Sequence, residues 1–222
     1  MVQVIESRFM SSASHLDNAP PPNASEIVFL GRSNVGKSTL INTLLNKPLA
    51  KSSSTPGKTQ LINFFASVWV WHNQRLPLTF IDLPGFGYAK VSKSIKKEWE
   101  RHLLNFLFMR QSIKLFLHLV DARHTDLAID TSVATMLEQI CRGDQCILRI
   151  YTKADKLNQS ALNALYKRVY IQENKVQGAD TDDTHTQSLL FSAISKNHRK
   201  MVSLTHLREE IVKYTLGLEN GI

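Results

Sequence analysis

The sequence predicts an α/β domain whose six-stranded, mainly parallel sheet carries helices on both faces. Its 222 residues, 43% of them hydrophobic, suffice for one sizeable core, whereas two complete domains would be cramped. Short β-rich runs alternate with helix-length amphipathic stretches, which is typical of parallel strands joined by helical crossovers. One connection differs, because the four residues HNQR (72–75) are too few for a crossover helix and predict an antiparallel hairpin.

The individual elements follow from apolar runs and from the spacing between them. The predicted strands are EIVFL (26–30), LINFFASVWVW (61–71), LPLTFID (76–82), IKLFLHLVDA (113–122), CILRIYT (146–152) and SLLFSA (188–193). The predicted helices lie near residues 37–46, 93–110, 127–141, 159–175 and 200–216. Residues 10–25 include three consecutive prolines, which exclude a helix interior or a central strand and predict a linker or a loosely attached arm.

Charge and composition narrow the class of protein. A formal charge of +8 and a pI of about 9.5 favour polyanionic partners. Residues 1–16 lack the apolar core of a secretory signal, and no apolar run approaches the roughly 20 residues of a membrane span. We therefore expect a cytoplasmic protein without a membrane partner. The two cysteines, Cys141 and Cys146, are too few for a metal framework and are expected to be reduced structural thiols.

The strongest motif follows the first predicted strand. FLGRSNVGKSTL contains Gly31, Gly36, Lys37 and Ser38 in the spacing G-x-x-x-x-G-K-[ST] of a phosphate-binding loop. Glycines let backbone N–H groups approach a phosphate closely, and the N-terminus of the following helix adds partial positive charge. We expect Lys37 to reach the β- and γ-phosphates and Ser38 to ligate Mg²⁺. The alternative, a glycine-rich turn without this role, is disfavoured by the four fixed positions and the strand–loop–helix context.

A second motif indicates the base, because kinases, ATPases and GTPases share the first. In TKADK, the residues Thr152, Lys153 and Asp155 resemble the guanine-recognition motif N-K-x-D, with threonine in place of the commoner asparagine. The Asp155 carboxylate offers two coplanar acceptors to the guanine ring N–H and exocyclic amine, which adenine would leave unpaired. The stem of Lys153 can lie across the ring. Alone, this pattern could be a helix N-cap at Asp155, but its order along the chain favours base recognition.

The segment IDLPG ends a predicted strand with a carboxylate and is followed by a glycine. Asp82 stands where a carboxylate that holds Mg²⁺ through water is expected, and the Gly85 N–H can contact the γ-phosphate. The loop KSSSTPGKTQ (51–60) resembles the first switch of GTPases. In this loop Thr59 is expected to ligate Mg²⁺, with Thr55 as the runner-up.

In chain order, GRSNVGKS, TPGKTQ, DLPGFGYAK, TKADK and FSA resemble the EngB (YihA/YsxC) family of bacterial GTPases, in the TrmE–Era–EngA–EngB–septin-like group. The resemblance covers residues 26 to about 216, and TPGKTQ together with DLPGFGYA is far more specific than the phosphate-binding loop. It implies a Ras-like P-loop GTPase fold and GTP with Mg²⁺ held by Ser38 and Thr59. It also implies a role in assembling the large ribosomal subunit and a link to cell division and septation.

The resemblance further implies the site residues and the domain limits. Catalytic roles fall to Lys37, Thr59 and Gly85. The expected nucleotide contacts are Gly31, Arg32, Ser33, Asn34, Val35, Gly36, Lys37, Ser38, Gly57, Lys58, Thr59, Gln60, Leu61, Asp82, Leu83, Pro84, Gly85, Thr152, Lys153, Ala154, Asp155, Phe191, Ser192 and Ala193. We expect a flexible N-terminal arm over residues 1–25, a GTP-binding domain over 26–217 and a C-terminal tail over 218–222.

Two residues bear on hydrolysis. Phe86 stands where Ras-like proteins place the glutamine that orients the attacking water, and a phenyl ring cannot hydrogen-bond water usefully. We therefore expect slow GTP turnover by the isolated protein, as suits a switch. In related GTPases with a hydrophobic replacement, an asparagine at the position of Asn34 helps to bind K⁺. The alternative is that Asn34 only stabilises the turn, and both interpretations remain open.

Two basic groups are candidate contacts for rRNA or ribosomal proteins. In SKSIKKEWERHLLNF (92–106), Lys93, Lys97 and Arg101 lie on one side of a predicted helix whose other side carries Ile95, Trp99, Leu103 and Phe106. The second group follows the last strand and comprises Lys196, His198, Arg199 and Lys200. Each group could instead be ordinary solvated surface. Tyr88 and Lys90 lie between Gly87 and the basic helix, where switch movement would present them to a partner.

Three other classes of protein are alternatives to a monomeric assembly factor. A membrane-associated GTPase is disfavoured because the chain ends LGLENGI and begins MVQ, without prenylation or myristoylation signals. A P-loop kinase is disfavoured because no lid motif or second substrate site is apparent. A GTP-gated structural or septum-organising protein without direct ribosome contact remains the main alternative.

Overall fold

The computed structural model describes residues 1–51, 61–86, 93–176, 186–193 and 199–218. These residues form seven strands and five α-helices, which confirms the predicted α/β class. The strands are β1 (Gln3–Ala13), β2 (Ser25–Gly31), β3 (Ile62–Trp71), β4 (Gln74–Asp82), β5 (Ile113–Asp121), β6 (Cys146–Thr152) and β7 (Thr186–Leu190). The helices are α1 (Lys37–Leu45), α2 (Lys93–Met109), α3 (Ala128–Ile140), α4 (Gln159–Val176) and α5 (Leu204–Leu216).

The strands form one sheet in the order β1-β3-β4-β2-β5-β6-β7. In this order, the five strands β4, β2, β5, β6 and β7 each pair in parallel with their neighbours among these five. Val28 and Phe29 are neighbours on β2, yet both are fully buried, because helices cover both faces of the sheet. Phe29 packs in a cluster that includes Leu44 of α1 and Ile211 of α5. Val28 packs in the cluster on the other face, which contains residues of α2 and α3.

The parallel strands bring several chain-distant residues to one edge of the sheet. Strands β2, β4, β5 and β6 end at Gly31, Asp82, Asp121 and Thr152, respectively. Asp121 lies directly opposite Thr152 in the register of β5 and β6. Ligand sites of open parallel sheets form outside these carboxyl ends, so the topology gathers the predicted motifs at this edge.

Strands β3 and β4 form the predicted antiparallel hairpin, with Trp71 opposite Gln74 at the closed end. The turn consists of His72 and Asn73, whose φ angles are 47° and 63°. Positive φ at both central residues is the requirement of a type I′ turn, whose twist matches that of the paired strands. The hairpin returns β4 beside β2 in the parallel direction, which carries Asp82 to the site edge.

Strand β1 corrects two expectations. It pairs antiparallel with β3, so the sheet has seven strands and residues 3–13 are not a flexible arm. Two register shifts, between Val4 and Glu6 and between Phe9 and Ser11, interrupt the alternation of side chains along the strand. Because an exposed strand is recognised in a sequence by that alternation, the bulges hide it. Residues 20–23 have no regular structure, as their prolines predict.

A buried ion pair ties the start of β2 to the end of α2. Arg110 donates to both Glu26 carboxylate oxygens, at 2.5 and 2.7 Å, and also to the Pro20 carbonyl at 2.8 Å. Glu26 is 0% exposed and Arg110 is 5% exposed. Ser112 Oγ donates a further bond to Glu26. The pair therefore has the close geometry and additional hydrogen bonds that buried charges require.

Helix α2 agrees with the predicted two-sided pattern where its side chains are described. Leu103 and Phe106 are buried in the core, whereas Arg101 is exposed. The side chains of Lys93 and Lys97 lie outside the described part of the structure. Among the described helices, including α2, there is none with the length and apolar character needed to cross a bilayer.

Candidate nucleotide-binding site

The loop between β2 and α1 has the backbone conformation of a phosphate-binding turn. Gly36 has a φ of 104° and directly precedes α1, and Asn34 has a φ of 62°. Left-handed backbone of this kind favours glycine and, among other residues, asparagine. The glycine and the asparagine of GRSNVGKS therefore stand at positions where the turn requires them, and α1 begins directly behind the loop.

A cavity of about 290 Å³ opens beside this loop at the carboxyl edge of the sheet. Predicted contact residues form most of its wall, namely Arg32, Ser33, Asn34, Gly36, Lys37, Ser38, Leu61, Asp82, Leu83, Pro84, Gly85 and Lys153. Thr39, Lys51 and Asn63 also line it and were missed, since nothing in the motifs marks them. The structure thus joins segments from four parts of the chain around one cavity.

Lys37 and Asp82 meet at the floor of the cavity. The Lys37 ammonium group donates to Asp82 Oδ1, and both side chains are largely buried. Ser38 lines the same cavity as the Asp82 carboxylate. Hydroxyl and carboxylate oxygens are the donors that Mg²⁺ prefers, so these two residues fit a magnesium ion between the loop and β4.

The segment after β4 pairs with the phosphate-binding loop. Phe86 N donates to Gly31 O at 3.1 Å, and Ser33 N donates to Phe86 O at 3.3 Å. Gly85 lies so close to the loop that an added Cβ would be 2.8 Å from Ser33 N, which only glycine permits. The Phe86 ring packs against the core cluster of α2 and α3. The backbone of this segment is therefore in direct contact with the loop, while its aromatic ring is directed into the core.

The predicted guanine motif lies at the other end of the site. Thr152 Oγ1 is 2.6 Å from the carbonyl oxygen of Val35, to which it donates. This bond links β6 to the phosphate-binding loop and gives a role to the threonine that replaces asparagine. Asp155 Oδ1 accepts a 2.7 Å hydrogen bond from Ser192 Oγ, so the FSA segment orients the carboxylate. Phe191 N donates to Tyr151 O, which holds FSA against β6.

Lys153 spans the gap between the two motifs. Its backbone is left-handed, with a φ of 57°, and its ammonium group donates to Asn34 O and, at 3.0 Å, to Asp121 Oδ2. Arg123 donates to the same carboxylate through Nε and Nη2, at 2.9 and 2.8 Å. Burial alone would raise the pKa of Asp121, but the hydrogen bonds from Arg123 and Lys153 outweigh it and lower that pKa below its ordinary value.

A second charged pair ties the loop to α3. Arg32 Nε donates to both oxygens of Asp130, at 3.2 and 2.9 Å. Burial raises the pKa of Asp130, and the charge and hydrogen bond of Arg32 oppose the rise. The partners are 98 positions apart in the sequence, so no local sequence pattern predicts this pair. It ties Arg32 of the loop to the first turn of α3.

Some predicted residues do not line the cavity or are not described. Gly31, Val35, Thr152, Ala154, Asp155, Phe191, Ser192 and Ala193 are described but are not part of the cavity wall. Gly57, Lys58, Thr59 and Gln60, the runner-up Thr55, and the candidate partner contacts Tyr88, Lys90, Lys196 and His198 lie outside the described residues. Arg199 is exposed and Lys200 is half-buried, and Lys200 donates to Asn163 on α4.

Comparison with known folds supports a GTPase architecture. The structure is similar to that of Toc33 from Arabidopsis thaliana in complex with Mg²⁺ and GMPPNP, with a TM-score of 0.59 and 15% identity over 89% of this chain and 86% of that one. It is also similar to Aquifex aeolicus Era bound to GDP.AlF4⁻, with a TM-score of 0.57 and 19% identity over 85% of this chain and 56% of that one. At these identities the similarity establishes the fold alone.

Sequence comparison identifies the family. A family model described as 50S ribosome-binding GTPase matches residues 26–153. The chain is 99% identical over 222 residues to the probable GTP-binding protein EngB of Helicobacter hepaticus, covering 100% of both chains. It is 57% identical over 169 residues to the probable GTP-binding protein EngB of Wolinella succinogenes, covering 76% of this chain and 84% of that one. The chain therefore belongs to the EngB family of bacterial GTPases, which bind and hydrolyse GTP.

Proposed function

We propose that this GTPase is a nucleotide-dependent assembly factor for the large ribosomal subunit. The match of residues 26–153 to the 50S ribosome-binding GTPase model is the observation that supports this partner. The net charge of +8 supports contact with rRNA as well as with ribosomal proteins. The protein acts as a monomer in the cytoplasm, where ribosomes are assembled. It is also required for normal cell division and septation.

The nucleotide occupies the cavity with its phosphates on the loop and its base toward β6. In this arrangement Lys37 binds the β- and γ-phosphates, and Asp155 accepts the two donors of the guanine edge. A Mg²⁺ ion bound by Ser38 and Thr59, and by Asp82 through water, would neutralise phosphate charge during hydrolysis. Support comes from the shared cavity wall of Lys37, Ser38 and Asp82.

The contact between Gly85 and the loop supports a switching role. Because Phe86 bonds to the phosphate-binding loop and Gly85 lies against Ser33 of that loop, a γ-phosphate beside Gly85 acts directly on this segment. From Phe86 the chain leads through Tyr88 and Lys90 to α2, where the sequence predicts the basic face Lys93, Lys97 and Arg101. GTP therefore orders this face for ribosome binding, and GDP releases it.

Sedimentation with large ribosomal subunits tests this function. We expect the protein to bind more tightly with a non-hydrolysable GTP analogue than with GDP, because only differential affinity lets a nucleotide control binding. If the basic face neutralises rRNA phosphates, the logarithm of the binding constant should fall linearly with the logarithm of the salt concentration. The slope should be about −0.7 to −0.9 for each phosphate neutralised. Replacing Lys93, Lys97 and Arg101 by glutamine should weaken binding about tenfold or more and flatten the slope, with GTP affinity unchanged.

A charge-matched control separates a local contact from general attraction. Arg8, Arg75 and Lys167 are exposed on other parts of the surface, and their triple glutamine variant removes the same charge. It should keep most of the affinity of the parent. Equal losses in the two triple variants would refute a specific role for the α2 face. GTP-dependent homopolymers without particle binding would refute the assembly function itself.

Potassium dependence is a separate prediction about hydrolysis. We expect slow GTP turnover that rises when K⁺ replaces Na⁺ at constant ionic strength, if Asn34 binds the ion. Asn34→Gly tests this sharply, because glycine retains the left-handed backbone of φ 62° and removes only the amide side chain. The stimulation should disappear in Asn34→Gly and in Asn34→Ala. A parent enzyme with equal rates in the two salts would leave Asn34 as a turn residue.

A further inference from the structure

The end of β5 carries a buried carboxylate that none of the recognised motifs includes. Asp121 lies opposite Thr152 of β6 and is 4% exposed. Its two oxygens accept from the backbone N–H and the guanidinium of Arg123 and from the ammonium group of Lys153. This carboxylate therefore connects the end of β5 to Lys153, the lysine of the base motif.

Lys153 needs such an anchor. Its φ of 57° is a left-handed conformation that is unfavourable for lysine and persists only where the surroundings enforce it. A free lysine side chain also samples many rotamers, which would be lost on contact with a base. Here the ammonium group is held between Asn34 O of the phosphate-binding loop and Asp121 Oδ2. The alkyl stem is thus fixed between the Lys153 backbone and the anchored ammonium group, beside the cavity.

We propose that Asp121 is a positioning residue for the guanine pocket, which fixes Lys153 so that its stem forms a preset surface for the purine ring. The inference rests on the proposed nucleotide site. Arg123 completes the arrangement, because its two side-chain bonds orient the carboxylate, and Oδ2 accepts from Lys153 as well as from Arg123 Nη2. Asp121 acts on the base alone, since the phosphates bind to the loop and to Lys37.

Binding of two ligands separates this role from a merely structural one. The full-length parent, Asp121→Asn, Lys153→Met and the double variant are titrated with GDP and with inorganic triphosphate, which has phosphates and no base. Asp121→Asn should bind GDP about tenfold more weakly, the usual effect of losing a charge-assisted hydrogen bond. Its affinity for triphosphate should stay within about twofold of the parent. The double variant should bind GDP no more weakly than Lys153→Met, because the two residues act as one unit.

A matched control and a second variant keep the test decisive. Asp126 lies in the same β5–α3 connection, is 84% exposed on its side chain and pairs with Arg168, so Asp126→Asn should bind both ligands like the parent. Equal losses for GDP and triphosphate in Asp121→Asn, no loss for GDP, or additive losses in the double variant would each overturn the proposal. If Asp121→Asn does not fold, Lys153→Met with unchanged GDP affinity overturns it. A parent that binds ADP as well as GDP would refute the guanine assignment of the site instead.

Discussion

The Asp155→Asn variant should bind GTP at least about a hundredfold more weakly than the parent, and xanthosine triphosphate more tightly. The carboxylate offers two acceptors to two guanine donors, and each hydrogen bond to a charged group contributes about 1.5–3 kcal/mol. The asparagine amide places a donor against one of those donors. Xanthine has a carbonyl where guanine has the exocyclic amine, so the same amide forms a hydrogen bond with it. Equilibrium competition against a fluorescent guanine nucleotide measures both affinities.

The control for this variant is a surface aspartate far from the base motif. Asp144 is 52% exposed on its side chain and pairs with Lys114, so Asp144→Asn should leave nucleotide affinity unchanged. In the parent, ATP should compete far more weakly than GTP. An Asp155→Asn protein that keeps its GTP affinity within about threefold, or a parent in which ATP competes within a few fold of GTP, would show that Asp155 does not select the base.

Removing Arg110 should destabilise the fold by about 3–5 kcal/mol, because Arg110→Met leaves the fully buried Glu26 carboxylate unpaired. Such a loss is a large part of the roughly 5–15 kcal/mol that stabilises an ordinary domain. Urea unfolding of the parent and the variant measures the change in free energy. The guanidinium also lies 5.2 and 5.3 Å from the ring centres of Phe64 and Phe106, so its loss removes packing as well as charge.

Two further variants identify the cause of the loss. Glu26→Leu combined with Arg110→Met removes both charges and should recover most of the stability, because an apolar pair needs no partner. Lys114→Met breaks the exposed pair with Asp144 and should change the free energy of unfolding by no more than about 0.5 kcal/mol. A loss in Arg110→Met as small as that in Lys114→Met would mean that the buried pair contributes little.

The parts of the fold that the sequence predicts are those with strong local signals. The central strands are nearly continuous apolar runs, and the phosphate-binding loop has fixed spacing directly before α1. Strand β1 lacks such a signal, because its two bulges shift side chains from one face to the other and leave Ile5 and Phe9 about half exposed. Only pairing with β3 makes it a strand.

In the site too, residues within a motif are predicted from the sequence, whereas roles that depend on contacts between distant parts of the chain are not. Lys37, Asp82 and Lys153 are found by motif, and the structure brings them to one cavity. Asp121 carries no motif, since a carboxylate at the end of a strand is common and its bond to Lys153 spans 32 residues. The function of Thr152 was equally hidden, because its hydroxyl acts on the Val35 carbonyl, which is distant in sequence. These contacts arise from tertiary structure, which no local pattern contains.

The proposed ribosomal role requires that the nucleotide in this cavity controls binding to the large ribosomal subunit. The Asp155→Asn variant tests it directly, because its altered base preference separates the nucleotide from every other property of the protein. Sedimentation with purified large subunits is measured for the parent and the variant, each with a non-hydrolysable analogue of GTP or of xanthosine triphosphate. We expect the parent to bind particles only with the GTP analogue and the variant only with the xanthosine analogue. A variant that binds particles equally with either nucleotide, or with none, would show that the nucleotide does not control this binding.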